Sequence, residues 1–146
     1  MVYSFEDVQA TISGPGGTFS LGAGSGNAQE GISVEFVDDK DGMLMGADGS
    51  GVHSLRASNA ATITVRLLKT SPVNAQLSQQ YRYQKQSSLF WGQNVVTVTN
   101  PVTGDDYHCT EVAYKKHTGI TWAQDANINE WAFNAINADP MLGVGI

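Results

Sequence analysis

Apolar and polar residues alternate with a period of two along most of the chain, the pattern of strands with one buried and one wetted face. In "EDVQATIS", residues 6 to 13, Val8, Ala10 and Ile12 fall on one face and Asp7, Gln9, Thr11 and Ser13 on the other. "GPGG" at 14 to 17 predicts a tight turn into "TFSL". After the glycine-rich "GAGSGNAQEG", the segment "ISVEFVD" alternates again, Ile32, Val34 and Phe36 against Ser33 and Glu35. "HSLRA" and "ATITVRLL" continue, with Ile63, Val65 and Leu67 inward and Thr62, Thr64 and Arg66 outward. The period then changes. Ser71-Pro72 is a helix start, because serine can take up free N–H groups and proline tolerates the first helical position. Val73, Leu77 and Tyr81 recur every four residues and predict one amphipathic helix from about residue 72 to about 88, packed through those three side chains and leaving Gln76, Gln79 and Lys85 outward. "NVVTVTN", "YHCTEVAY", "GITWAQ" and "INEWAFNAI" read as further strands, a turn at "PVTGDD" lies among them, and Pro140 and Gly143 fall in a terminal tail. The elements predict a single, mainly β domain over residues 1 to 146, a β-sandwich or small barrel with one flanking α-helix.

Between two of these strands runs a long polar loop, residues 38 to 52, beginning "DDKDGMLMGADGSG". Its glycines and aspartates have little apolar surface to offset ordering entropy, so it should order only against a partner. Met43, Leu44 and Met45 are the exception, and they are the candidate anchors; Asp38, Asp39, Asp41 and Asp48 surround them.

Composition agrees with a turn-rich β protein: 146 residues, 16 of them Gly, and 15% charged against about 25% in an average domain. The net charge of -6 and eight scattered basic residues disfavour tight binding to a phosphate backbone. A lone Cys109 has no partner for an internal disulfide. The start "MVYSFED" lacks signal-peptide character, no apolar run approaches the ~18 residues of a membrane span, and cytoplasmic folding is expected.

Chemical motifs are weak. An EF-hand reading from Asp39 meets Met43, Leu44 and Ser50 where an oxygen ligand, glycine and glutamate belong, and leaves only an irregular Ca²⁺ site of Asp38, Asp39, Asp41 and Asp48 as an alternative to a solvated loop. "GAGSGN" breaks the dinucleotide spacing at Gln29 and precedes a strand, and "GDD" at 104 to 106 has turn composition. His53, His108 and His117 lack zinc spacing, and His108 points to the opposite face from Cys109. Cys109, in register with Tyr107, Glu111 and Ala113, reads as a small buried thiol. No catalytic residue, metal or cofactor is expected.

The run "GADGSGVHSLRASNAATITVRLLKTSPVNAQLSQQYRYQ", residues 46 to 84, with "EGISVEFVDDKDGMLMGADGSG" before it and "NEWAFNAINADPMLGVG" near the end, resembles the tail tube proteins of contractile-tailed bacteriophages. It departs at "GSGV", 49 to 52, where Gly51 makes the loop looser. The resemblance implies a non-enzymatic virion subunit, assembled in the host cytoplasm, whose hexameric rings stack into a tube. Sheath, tape-measure, baseplate and tail terminator proteins would be its partners, and DNA would pass through the lumen without specific binding or membrane contact. The loop at 38 to 52 would reach an adjacent ring, and Asp7, Gln9, Ser33 and Glu35 would line the lumen. A tube protein of a bacterial contractile injection or secretion system shares the same pattern, and a Ca²⁺-dependent β-sandwich binding module is an alternative from another class.

Overall fold

A computed structural model describes residues 2 to 144. A short 3-10 turn, Phe5–Asp7, leads into β1 (Gln9–Gly14) and β2 (Gly17–Ser20), a hairpin whose turn places Gly16 at φ 99 and Gly17 at φ 139, backbone that L side chains avoid. β3 (Asn27–Phe36) precedes a projecting hairpin, β4 (Asp41–Met45) and β5 (Gly51–Leu55). β6 (Ala61–Leu68), the helix α1 (Val73–Gln84), β7 (Asn94–Asn100), β8 (Asp105–Lys116) and β9 (Ile128–Met141) complete the chain.

Seven strands form one antiparallel sheet in the order β2-β1-β7-β8-β9-β6-β3, with β4 and β5 apart from it as a second, two-stranded sheet. The large sheet curls: Val8 and Val98 from one side and Ile32 and Val34 of the far edge strand line a common cavity of about 250 Å³. The sandwich-or-barrel expectation thus takes the form of one curled sheet with the helix against its core face. Irregularities in the ladder assist the curl, as bulges do by bending a strand. β3 shifts register between Asn27 and Ile32, with Gly31 at φ 65, and β8 carries Glu111 at φ 53.

The core is built on Ile12, Ile63, Val65, Leu67, Trp131 and Phe133, all fully buried. Side chains of this size contribute about 1.5–3 kcal/mol each on burial. Leu77 enters from α1, and Tyr81 packs edge-on to Tyr114 with ring centres 5.5 Å apart. Gln76, Gln79 and Lys85 are exposed, matching the expected orientation of the helix. Its underside is more polar than periodicity suggested, since Gln80 and Gln84 are also buried. Gln80 accepts from the Tyr114 hydroxyl at 2.6 Å and donates to the carbonyl of Gly17, while Gln84 donates to that of Pro15 and exchanges two hydrogen bonds with Asn94. These bonds tie the helix to the β1–β2 turn. At its other end Ser71 accepts from the Val73 N–H, as expected of the Ser71-Pro72 start.

Several boundaries differ from the sequence pattern. The helix stops at Gln84, not near residue 88, with Lys85 as its cap and turns following. "GITWAQ" forms no strand. Pro140 remains within β9 opposite Tyr107 of β8, past the end of the β6 pairing, where β9 is flanked on one side only. Phe36 is half exposed at the end of an edge strand. The left-handed turn at Glu111 resets the alternation of β8, so Val112 and Tyr114, rather than Glu111 and Ala113, share the core with Cys109.

Candidate functional site

The segment expected as a loop at 38 to 52 is a β-hairpin arm. Its strands pair Asp41 with Leu55, Met43 with His53, Leu44 with Val52 and Met45 with Gly51. Local chemistry closes the tip: Asp48 Oδ1 accepts from the backbone N–H and hydroxyl of Ser50, and Gly49 takes φ 89. The Ser50 hydroxyl is the first cause, and its backbone N–H the second, that hold the Asp48 carboxyl below its usual range. The root is fastened by Ser58, whose hydroxyl donates to Asp38 at 2.7 Å, and by the Lys40 ammonium, which donates to the Ser58 carbonyl and Asn59 Oδ1. Asp41 meets His53 Nδ1 at 2.9 Å, both exposed. Asp38, Asp41 and Asp48 face separate partners, and among the described residues no group of three or more His, Cys, Asp or Glu side chains converges as a metal site.

Pairing divides the three expected anchors between two faces. Met43 and Met45 lie with Asp41, His53 and Leu55, whereas Leu44 lies on the reverse with Val52. All are exposed, Leu44 at 76% and Val52 at 62%. Val52 and Leu55 are further apolar residues of the arm; they stand three positions apart and fall on opposite faces, so no alternation in "GVHSL" marks them in the sequence. Two apolar faces on a hairpin with no core beneath it leave unusual surface for a lone subunit to expose.

The second candidate surface is the sheet face turned away from α1. Ser33 stands opposite Thr64 and Glu35 opposite Thr62, so the two sets of outward residues recognised in the sequence belong to one face. Gln9 lies on the same face at the far side, beside Thr99 and near Thr11 and Thr97, whose hydroxyl oxygens are 2.8 Å apart. Asp7 is an exception: it sits in the 3-10 turn before β1, so strand alternation does not assign it to this face. Arg66 donates to the Ser33 hydroxyl at 2.8 Å and reaches Glu130 at 3.6 Å, which balances charge at that edge. Hydroxyls and amides fill both sides of this face, and Asp106, His108 and Glu130 of the middle strands share it.

The model of the family described as "Bacteriophage PhiTE tail tube protein" matches residues 1–143. The chain belongs to this tail tube protein family. Its fold recurs in solved structures at low identity. A chain of the anti-feeding prophage cap, a tube terminating cap, aligns at 9% identity and TM-score 0.58 over 98% of this chain and 94% of that one. A chain of the PVC extracellular contractile injection system sheath-tube complex in the extended state aligns at 12% identity and TM-score 0.55, covering 97% and 92%. One of the PVC sheath/tube terminator aligns at 11% identity and 0.57, covering 97% of each. No match was found among curated proteins. In this tail tube family member the arm stands apart from the main sheet and the open face lies on the side away from α1.

Proposed function

We propose that the protein is a non-enzymatic structural subunit of a bacteriophage tail tube, which self-assembles into hexameric rings stacked as the conduit for DNA ejection. The observation that carries the reading is the match of the tail tube family model to almost the whole chain. The geometry supports it in two ways. The arm projects apolar side chains from an otherwise closed core, a design suited to contact with another subunit in an adjacent ring. The open face is rich in neutral polar groups, and a lumen of that kind offers passing DNA few cations to hold its phosphates. Gln9, Ser33 and Glu35 are its proposed lining, with Asp7 at its margin. A sheath protein and a terminator are the expected partners, in keeping with the sheath-tube and terminator assemblies that share the fold; tape-measure and baseplate contacts follow from a place in the virion tail.

Electron microscopy of the purified, concentrated protein tests the reading. Six-fold rings or hollow filaments are expected. Dispersed particles at all concentrations would overturn self-assembly as the mechanism.

A further inference from the structure

Charge is segregated along this acidic chain. From Gly49 to Gly104 there is no Asp or Glu, while Arg56, Arg66, Lys69, Arg82 and Lys85 all fall there. Arg66 reaches Glu130, and Lys69 donates to the Thr121 carbonyl and lies over Trp122. Arg82 and Lys85 have no carboxylate partner among the described residues. They project from the end of α1 beside a group of aromatic side chains, Tyr81, Tyr83, Phe90 and Trp91. Lys85 Nζ lies 5.3 Å from the Tyr81 ring centre, Tyr83 stacks on Phe90 at 5.0 Å and 12°, and Leu89 is 80% exposed. Two hollows flank these groups. One, of about 370 Å³, is bounded by Lys85 and Trp91, and the other, of about 190 Å³, by Arg82 and Tyr83.

The arm has the complementary chemistry. It carries two carboxylates, Asp41 at the base beside His53 and Asp48 at the tip, and Met43 and Met45 present thioethers on one face. Methionine sulfur packs favourably at aromatic edges, and an ionised carboxylate suits a seat holding two unpaired cations. Within one chain, hydrogen bonds of the arm stay inside it or run to Ser58 and Asn59, and none reaches the end of α1 among the described residues.

We propose that the aromatic, basic surface at the end of α1 and in the following segment, centred on Arg82, Lys85, Tyr83 and Trp91, is the seat for the arm of a second copy of this chain. Met43 and Met45 would lie on the aromatic groups with Asp48 at the cations. The inference rests on the reading of the arm as an assembly contact and names its acceptor. An acidic apolar segment from an unrelated protein would share the chemistry; a second copy is favoured because the chain itself carries the complement.

Charge exchange in the full-length protein tests it, with tube formation followed by sedimentation and electron microscopy and folding checked by melting. R82E/K85E and D48K should each raise the concentration needed for assembly by about tenfold or more, and D48K mixed into the R82E/K85E chain should recover most of that loss. In a mixture of Met45→Cys and Leu89→Cys chains, oxidation of assembled tubes should give a disulfide heterodimer, a product that only an intermolecular contact can form. Normal assembly by R82E/K85E, or no heterodimer in assembled tubes, would overturn the seat. M43S/L44S/M45S separates the two readings: if it stays folded but fails to assemble while R82E/K85E assembles normally, the arm is a contact and the acceptor lies elsewhere. If it assembles normally, the arm reading and the seat both fall.

Discussion

At the scale of the residue, the amides beneath α1 enter the core with their hydrogen bonds met, while Asn27 Oδ1 is buried without a partner. Gln84 and Asn94 exchange two bonds in full burial, which offsets the cost of removing amides from water and fixes where the helix stands over the β1–β2 turn. Glu111 illustrates a different economy: a non-glycine residue at φ 53 is uncommon, yet its left-handed turn lets Cys109 and Val112 both face inward. Cys109 and Tyr114 make a pH dependence specific. Burial alone pushes both groups above their ordinary values, favouring the neutral thiol and phenol. Their contribution to stability is therefore complete below the unfolded pKa values, about 8.5 and 10, and is lost as pH rises beyond them. Chemical denaturation should show a lower unfolding free energy at pH 10 than at pH 7, and an aromatic disulfide reagent at pH 8 should label Cys109 only as the protein unfolds. Stability that is flat or rising between those pH values, or rapid labelling of the native protein, would contradict this burial.

Among the elements, α1 and the arm show opposite relations between pattern and structure. The four-residue recurrence of Val73, Leu77 and Tyr81 found the buried side of α1, because a helix repeats its faces regardless of what lies below. Leu77 is fully buried, and Leu77→Ala should cost about 2 to 5 kcal/mol. Urea unfolding measures it; a loss well below 1 kcal/mol with two-state behaviour intact would mean that the helix does not anchor the core. The arm, in contrast, was expected as a loop because glycine and aspartate are poor strand formers. Backbone pairing from Asp41–Leu55 to Met45–Gly51, closed by the Asp48–Ser50 bonds, makes it a hairpin all the same. An isolated two-stranded hairpin is only marginally stable in water, which agrees with a role fulfilled against another surface.

On the scale of the whole molecule, the curled sheet turns one face to α1 and the core and leaves the other free, bounded by the edge strands β2 and β3. Placing Gln9 near one side and Ser33 and Glu35 at the other makes the free face a candidate inner wall across its full width. In a reconstruction of the tube, these three residues should stand nearer the axis than the exposed outer residues of α1, Gln76 and Gln79. Gln9 and Glu35 at the outer radius would reverse the assignment.

Much of the fold was legible in the residues. Alternation marks a strand whether or not its partners are known, since successive side chains must leave opposite faces, and so β1, β3, β6, β7 and much of β8 and β9 could be found, along with α1. The order of residues 46 to 84 likewise carried the tail tube resemblance. Long-range pairing governed the rest. That Thr62 and Glu35 share one face, that Leu44 turns away from Met43 to join Val52, and that Glu111 inverts the pattern of β8 all depend on registers between distant segments. Burial of Gln80 and Gln84 depended on the same thing, because an amide enters a core only when tertiary neighbours, here Tyr114, Asn94 and the carbonyls of Pro15 and Gly17, supply its hydrogen bonds.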